Sequence, residues 1–210
     1  MKIVFFGDSI TDMGRDRSTD FGAGSYGYGY TNIITAELTK NNPVKYEVYN
    51  RGIAGDRIVD LYARIKKDIW NLNPDVVSIL IGINDVWHEI GEKNGVDIVR
   101  YERFYRMILE ETRERMPNVR FILCEPFVLE GNSTKDRYPE FLQIREYAKV
   151  VKKLAKEYDV PFLTLQEKFD KVAEKYGTVK YLFDGVHPSV AGAGLIAGEW
   201  LNLFKKEFAL

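Results

Sequence analysis

The stretch Lys2-Ile3-Val4-Phe5-Phe6-Gly7-Asp8-Ser9-Ile10-Thr11 decides the architecture of this chain. A short apolar, partly β-branched run reads as a strand over residues 2–6, and it stops at Gly7-Asp8 with a serine directly behind it. The same unit recurs along the chain. Strands are predicted at 45–50, 75–81, 119–124 and, briefly, 161–164. Stretches with apolar residues every three to four positions lie between them, predicting helices over 31–41, 57–72, 97–116 and 138–158, and a last helix over 189–208. Ser189 is a good N-cap for that last helix, and Pro188 before it fits a helix entry. Strands alternating with helices predict an α/β fold around a five-stranded parallel sheet.

In open parallel sheets ligands bind beyond the carboxyl ends of the strands, where loops diverge and helix N-termini point inward. Three short motifs fall at such ends: Gly7-Asp8-Ser9-Ile10-Thr11, Gly52-Ile53-Ala54-Gly55-Asp56-Arg57 and Gly82-Ile83-Asn84-Asp85. A fourth, Asp184-Gly185-Val186-His187-Pro188, sits in the loop before the last helix. Residues far apart in sequence can therefore meet at one edge of the sheet.

With 210 residues, 45% apolar and 13% aromatic, the chain is sized for one domain with a substantial core, residues 1–210. Thirty basic residues against 31 acidic give a formal charge of −1, so no net field draws it to nucleic acid or membrane. The Ile3–Phe6 run is far shorter than a secretory apolar core, and no later run is long enough to span a bilayer, so a cytoplasmic location is expected. The lone cysteine, Cys124, lies in an apolar run and reads as a core residue, in keeping with a reducing compartment. No repeat, linker or low-complexity tract is visible. The Gly/Tyr-rich segment 21–30 reads as a loop.

A serine hydroxyl becomes a useful nucleophile when a neighbouring base takes its proton and a carboxylate fixes the base's tautomer. Of the two histidines, His187 has Asp184 three positions before it, a spacing that in a turn lets the carboxylate reach Nδ1 while Nε2 faces Ser9. His88 has no such partner and reads as a surface or pocket-rim residue. Ser9, Asp184 and His187 are thus the expected catalytic residues. The expected oxyanion donors are the backbone N–H groups of Ser9 and Gly55 and the uncharged side-chain amide of Asn84. Gly55 and Gly82 suit positions where the backbone approaches a substrate or takes a positive φ. Each motif alone is common; the four in this order, at strand ends, are not.

In these blocks the chain resembles the SGNH/GDSL hydrolases, with Ser9, Gly55, Asn84 and His187 at the four family positions and the match running from residue 2 to about residue 200. The resemblance implies a flavodoxin-like three-layer α/β/α sandwich and ester hydrolysis through an acyl-enzyme, without a cofactor. The Gly-x-Ser-x-Gly elbow of the α/β-hydrolases is absent. The segments 82–87, 126–132 and 186–192 further resemble intracellular acetylxylan esterases, which act on acetylated xylo-oligosaccharides and assemble from identical subunits. An acetylated saccharide substrate and a homo-oligomer are therefore implied, with no nucleic acid or membrane partner.

Flat aromatic faces suit sugar rings, and Tyr26, Tyr28, Tyr30, Trp87 and Phe127 fall in or near loops at the active edge. Trp87, Tyr26, Phe127 and Asp8 are the candidate substrate contacts, although each tyrosine could equally be a packing residue. Asp8 and Asp12 also read as helix-start residues beside the nucleophile. Arg15 and Arg17 could meet substrate or a partner subunit, or simply face solvent. The sequence contains no long apolar lid, which speaks against a lipase, and no His/Cys/Asp cluster with metal-ligand spacing, so no metal is expected. Two other readings stay open: an esterase or thioesterase for other small acyl groups, and a carbohydrate-binding protein without turnover.

Overall fold

The computed structural model describes residues 1–208. Five strands, β1 (Lys2–Gly7), β2 (Glu47–Gly52), β3 (Val76–Leu80), β4 (Arg120–Cys124) and β5 (Phe162–Leu163), pair in parallel in the order β2-β1-β3-β4-β5. This is the flavodoxin-like order, with its switch point between β1 and β3. The helices are α1 (Ser9–Asp12), α2 (Tyr30–Thr39), α3 (Ile58–Ile65), α4 (Ile83–Glu92), α5 (Ile98–Arg115), α6 (Tyr138–Phe141), α7 (Ile144–Glu157), α8 (Gln166–Tyr176) and α9 (Val190–Phe208).

Alternation along β1 divides them into two outer layers. Phe5 points one way, its ring 5.7 Å from Tyr30 of α2 and 5.1 Å from Trp200 of α9. Phe6 points the other way, under the Arg64 guanidinium of α3 at 4.5 Å. Helices α2 and α9 pack on each other over the first face, while α3, α5 and α7 pack side by side over the second. On the first face Trp200 Nε1 donates to Ser78 Oγ at 3.0 Å, which satisfies a buried strand hydroxyl. Cys124 lies beside Ser78 in the core, and burial pushes its thiol up to about 12.

The expected strands are all present within about two residues, as is the last helix, where Ser189 Oγ accepts from Gly192 N at 3.2 Å. The interior of two expected helices differs. The 57–72 helix keeps α geometry only to Ile65 and then widens into a π-helical turn, Lys66–Trp70. The 138–158 helix breaks at Leu142-Gln143 into α6 and α7. Besides the single turn α1, two helices were not expected. Helix α4 starts inside the Gly82 motif, and its first turn, Ile83 to Val86, is wholly buried. Helix α8 is mostly charged and buries only Phe169, with Val172 and Ala173 partly buried against the core, so its sequence gives little apolar period. Its N-terminus is capped from outside by Glu125, whose carboxylate accepts from Leu165 N at 2.6 Å and Gln166 N at 2.9 Å.

Candidate active site

Ser9 opens α1 immediately beyond β1. The turn is tight because a Cβ on Gly7 would stand 2.4 Å from the Leu80 carbonyl and from Thr11 Oγ1, so only glycine lets β1 pass that close to β3. Asp8 caps α1, its Oδ1 accepting from Ile10 N at 2.9 Å. It is almost wholly buried, its Oδ2 has no hydrogen-bond partner among the described residues, and burial pushes its carboxyl up to about 7.

The loop before α9 carries the second half of the site. Asp184 Oδ1 accepts from Val186 N at 2.9 Å and His187 N at 2.8 Å, forming a tight turn that turns its own chain end back on itself. Gly185 sits at φ +103 in that turn, where a Cβ would lie 2.6 Å from the Leu129 carbonyl. Asp184 Oδ2 lies 2.7 Å from His187 Nδ1, and His187 Nε2 lies 2.8 Å from Ser9 Oγ. The carboxylate holds the ring proton on Nδ1, which leaves Nε2 as acceptor for the Ser9 hydroxyl. The Asp184 bond raises the His187 pKa above its ordinary value, with burial working against it. Burial likewise works to raise the Asp184 pKa, but the bonds from the His187 ring and from the turn outweigh it and hold the carboxyl below the usual range.

The loop beyond β2 is a turn closed by Asp56 N donating to the Ile53 carbonyl at 3.2 Å, with Gly55 at φ +88 in the position that favours glycine. Gly55 is exposed and its neighbourhood is open. Several bonds tie this turn to the segment around Ser9. Ile53 N donates to the Gly7 carbonyl at 3.0 Å, and Ala54 N to Asp12 Oδ2 at 3.0 Å. Asn84, in the first turn of α4, donates from Nδ2 to the Asp56 carbonyl at 3.0 Å. Arg64 of α3 donates from Nε to Asp56 Oδ2 at 2.7 Å, from Nη2 to the Gly7 carbonyl at 3.1 Å and from Nη1 to Asp68 Oδ2 at 2.6 Å. One guanidinium therefore links the end of the Ser9 strand to the turn that presents Gly55.

The GDSL-like Lipase/Acylhydrolase family matches residues 5–195. The chain belongs to that family. An acetylxylan esterase from Geobacillus stearothermophilus is 36% identical over 207 residues, which cover 96% of this chain and 92% of the relative. The crystal structure of that esterase matches the fold with a TM-score of 0.84, over 96% of this chain and 93% of its own, at 36% identity. A protein of Parabacteroides merdae assigned as a GDSL-like lipase matches at a TM-score of 0.89, with 35% identity and 96% and 94% covered. An α/β hydrolase enzyme from the metagenome of Lake Arreo matches at 0.85, with 28% identity and 96% and 94% covered. Catalytic mutants of the Geobacillus esterase replace a serine, an aspartate and a histidine, the last two spaced as Asp184 and His187 are. This GDSL-family protein is a carboxylic ester hydrolase.

Ser9 and His187 open into a cavity of about 600 Å³ that Arg15, Arg17, Tyr28 and Phe183 also line. A cavity of about 680 Å³ between the ends of α4, α5 and α7 is lined by no serine, cysteine or histidine, and Ser9 does not reach it. Of the residues expected to meet substrate, Trp87 stands beside the catalytic edge, its ring 6.1 Å from that of His187 and edge-on to Phe141 at 5.4 Å. Phe127 and Asp8 are corrected by the packing. Phe127 is fully buried, its ring 4.4 Å from Phe169, because the segment after β4 turns inward under α8. Asp8 is sealed beneath α1 by the cap it forms. Tyr26 is half-buried away from the cavity lining, and Tyr30 is a core residue whose hydroxyl pairs with Thr11 Oγ1 at 2.9 Å. Phe183 is the one exposed aromatic against the His187 ring, stacked at 5.7 Å and 18°. Its signal was the aromatic immediately before Asp184. Among the described residues no helix is long and apolar enough to cross a membrane, and no three His, Cys, Asp or Glu side chains cluster as a metal site.

Proposed function

We propose that this protein removes O-acetyl groups from saccharides, most specifically acetylated xylo-oligosaccharides, through an acyl-enzyme on Ser9. The observation that carries the reading is the continuous chain from Ser9 Oγ through the His187 ring to Asp184, at 2.8 and 2.7 Å. The acetylxylan esterase activity of the Geobacillus relative supports the choice of substrate.

In this reading Ser9 Oγ attacks the acetyl carbonyl carbon as His187 Nε2 takes the hydroxyl proton, and Asp184 stabilises the imidazolium. The developing oxyanion receives N–H groups from Ser9, Gly55 and Asn84. His187 then protonates the leaving sugar oxygen as the C–O bond breaks. Water, deprotonated by the same nitrogen, attacks the acetyl-serine, releasing acetate and restoring the Ser9 hydroxyl. On the family resemblance we also propose assembly from identical subunits, which sedimentation equilibrium checks directly.

The test is acetate release from acetylated xylo-oligosaccharides by wild type and Ser9→Ala side by side. Rapid release abolished in Ser9→Ala is the expected result. Hydrolysis of 4-nitrophenyl acetate without release from the saccharide would leave the serine chemistry and overturn the substrate, pointing to another small acyl ester. Inactivity on both would favour a carbohydrate-binding role.

A further inference from the structure

Arg15 lines the same cavity as Ser9 and His187, and it is the one arginine near the nucleophile without a carboxylate among the described residues. Arg17 pairs with Asp12; Arg51 lies 2.6 Å from Asp20 and 3.7 Å from Asp68; Arg64 lies 2.7 Å from Asp56 and 2.6 Å from Asp68. Among the described residues Arg15 makes one side-chain bond, from Nε to the Gly52 carbonyl at 2.9 Å, which fixes the guanidinium plane and leaves its two terminal amino groups without an acceptor there. Half-burying a cation without a directly paired anion is unfavourable, and here burial lowers the Arg15 pKa against the weaker pull of Asp12. A planar fork held from behind is suited to grip a carboxylate through two parallel bonds. A neutral sugar hydroxyl would leave the charge uncompensated. The exposed rings of Tyr28 and Phe183 line the same cavity and offer flat apolar surfaces to a sugar.

We propose that Arg15 binds an anionic substituent of the substrate, the carboxylate of a uronic acid residue adjoining the esterified sugar, and so selects acidic over neutral acetylated saccharides. The proposal rests on the saccharide-ester reading of the site. Its alternative is that Arg15 serves only to hold Gly52 at the end of β2.

The experiment measures kcat/KM on two acetylated oligosaccharides that differ only in carrying glucuronic acid or glucose as the adjoining residue, with wild type and Arg15→Gln. The wild-type ratio is expected to favour the acidic substrate at least tenfold at low salt, to fall as salt rises, and to collapse to about one in Arg15→Gln. Because both rates come from one preparation, partial misfolding of the variant cancels from the ratio. A wild-type ratio near one, or a preference that survives in Arg15→Gln, overturns the proposal. A second measurement separates its failure from failure of the saccharide reading: inhibition of 4-nitrophenyl acetate hydrolysis by free glucuronate and by glucose. Tighter inhibition by glucuronate, lost in Arg15→Gln, supports the carboxylate site even if neither oligosaccharide is cleaved. Equal inhibition constants count against it.

Discussion

The Asn84 side-chain amide donates one N–H to the Asp56 carbonyl at 3.0 Å, on the turn that presents Gly55. An amide has two N–H groups, so this bond fixes the orientation of Asn84 and leaves one N–H for the oxyanion of the proposed mechanism. Asn84 is also almost fully buried in the first turn of α4, where its orientation cannot drift. In the proposed mechanism, replacing it with alanine removes an oxyanion donor, and kcat is expected to fall roughly 10² to 10³-fold with little change in KM. Asn84→Asp is expected to be worse, because a carboxylate faces the oxyanion and cannot donate to Asp56. Steady-state kinetics on 4-nitrophenyl acetate decide this, and a drop confined to KM would count against it.

In the proposed mechanism turnover needs neutral His187, and the Asp184 bond raises its pKa. The acid limb of kcat/KM is therefore expected at a higher pH than the ordinary histidine value of about 6.5. Asp8 also titrates near 7, and as it ionises its charge raises His187 further, so the limb should be broader than a single ionisation. Asp8→Asn is expected to sharpen it. For stability the sign differs by partner. The raised His187 pKa stabilises the fold at low pH and loses that benefit as pH rises through it. The lowered Asp184 pKa stabilises above the ordinary carboxylate range and loses its benefit as pH falls.

Arg64 is nearly buried between Asp56 and Asp68, with Gly7 as a third acceptor. Truncating it to methionine removes the ion pair of the partly buried Asp56 and leaves Asp68 with Arg51 at 3.7 Å, and should destabilise the fold by about 3 kcal/mol in urea unfolding. Asp56→Asn keeps the Arg64 bonds to Gly7 and Asp68 and is expected to cost less stability while still lowering kcat. Equal kcat in Asp56→Asn and wild type would show that this side chain does not set the turn.

Gly55 and Gly185 both have positive φ, but only Gly185 is crowded. Gly185→Ala forces a Cβ onto the Leu129 carbonyl and should cost more stability than Gly55→Ala, whose penalty is backbone strain of about 1 kcal/mol. Thermal melts are expected to rank them in that order. Activity should be lost in both, through the displaced Asp184 turn in one and a tilted N–H in the other.

The sheet was readable because most strands are short apolar runs ended by glycine or a polar motif, and Gly7, Gly52 and Gly82 mark where the chain leaves it. Ser9, Asp184 and His187 could be singled out because each is a chemical residue type at such an exit, and the structure brings the three together. Residues defined by direction were harder to read. Phe127 and Asp8 sit in the right segments but point inward, since the interior takes any side chain that packing or a cap can satisfy. Phe183 and Arg15 face the cavity without any periodicity to mark them. Helix α8 escaped because it fully buries only one phenylalanine, too few apolar positions to register a period. Arg64 belongs to an ordinary amphipathic helix, and its link to Gly7 and Asp56 exists only once β1, β2 and α3 are side by side.

The contact between Ser9 and His187 joins residues 178 positions apart. During synthesis Ser9 leaves the ribosome after β1 alone and His187 after all five strands, so four strands of the sheet lie between them. A chain cut short before residue 187 could order much of its core yet would hold a serine with no proton acceptor. Ester cleavage by this protein is thus a readout of finished translation and complete assembly, and a fragment that folds in part would be silent rather than weakly active.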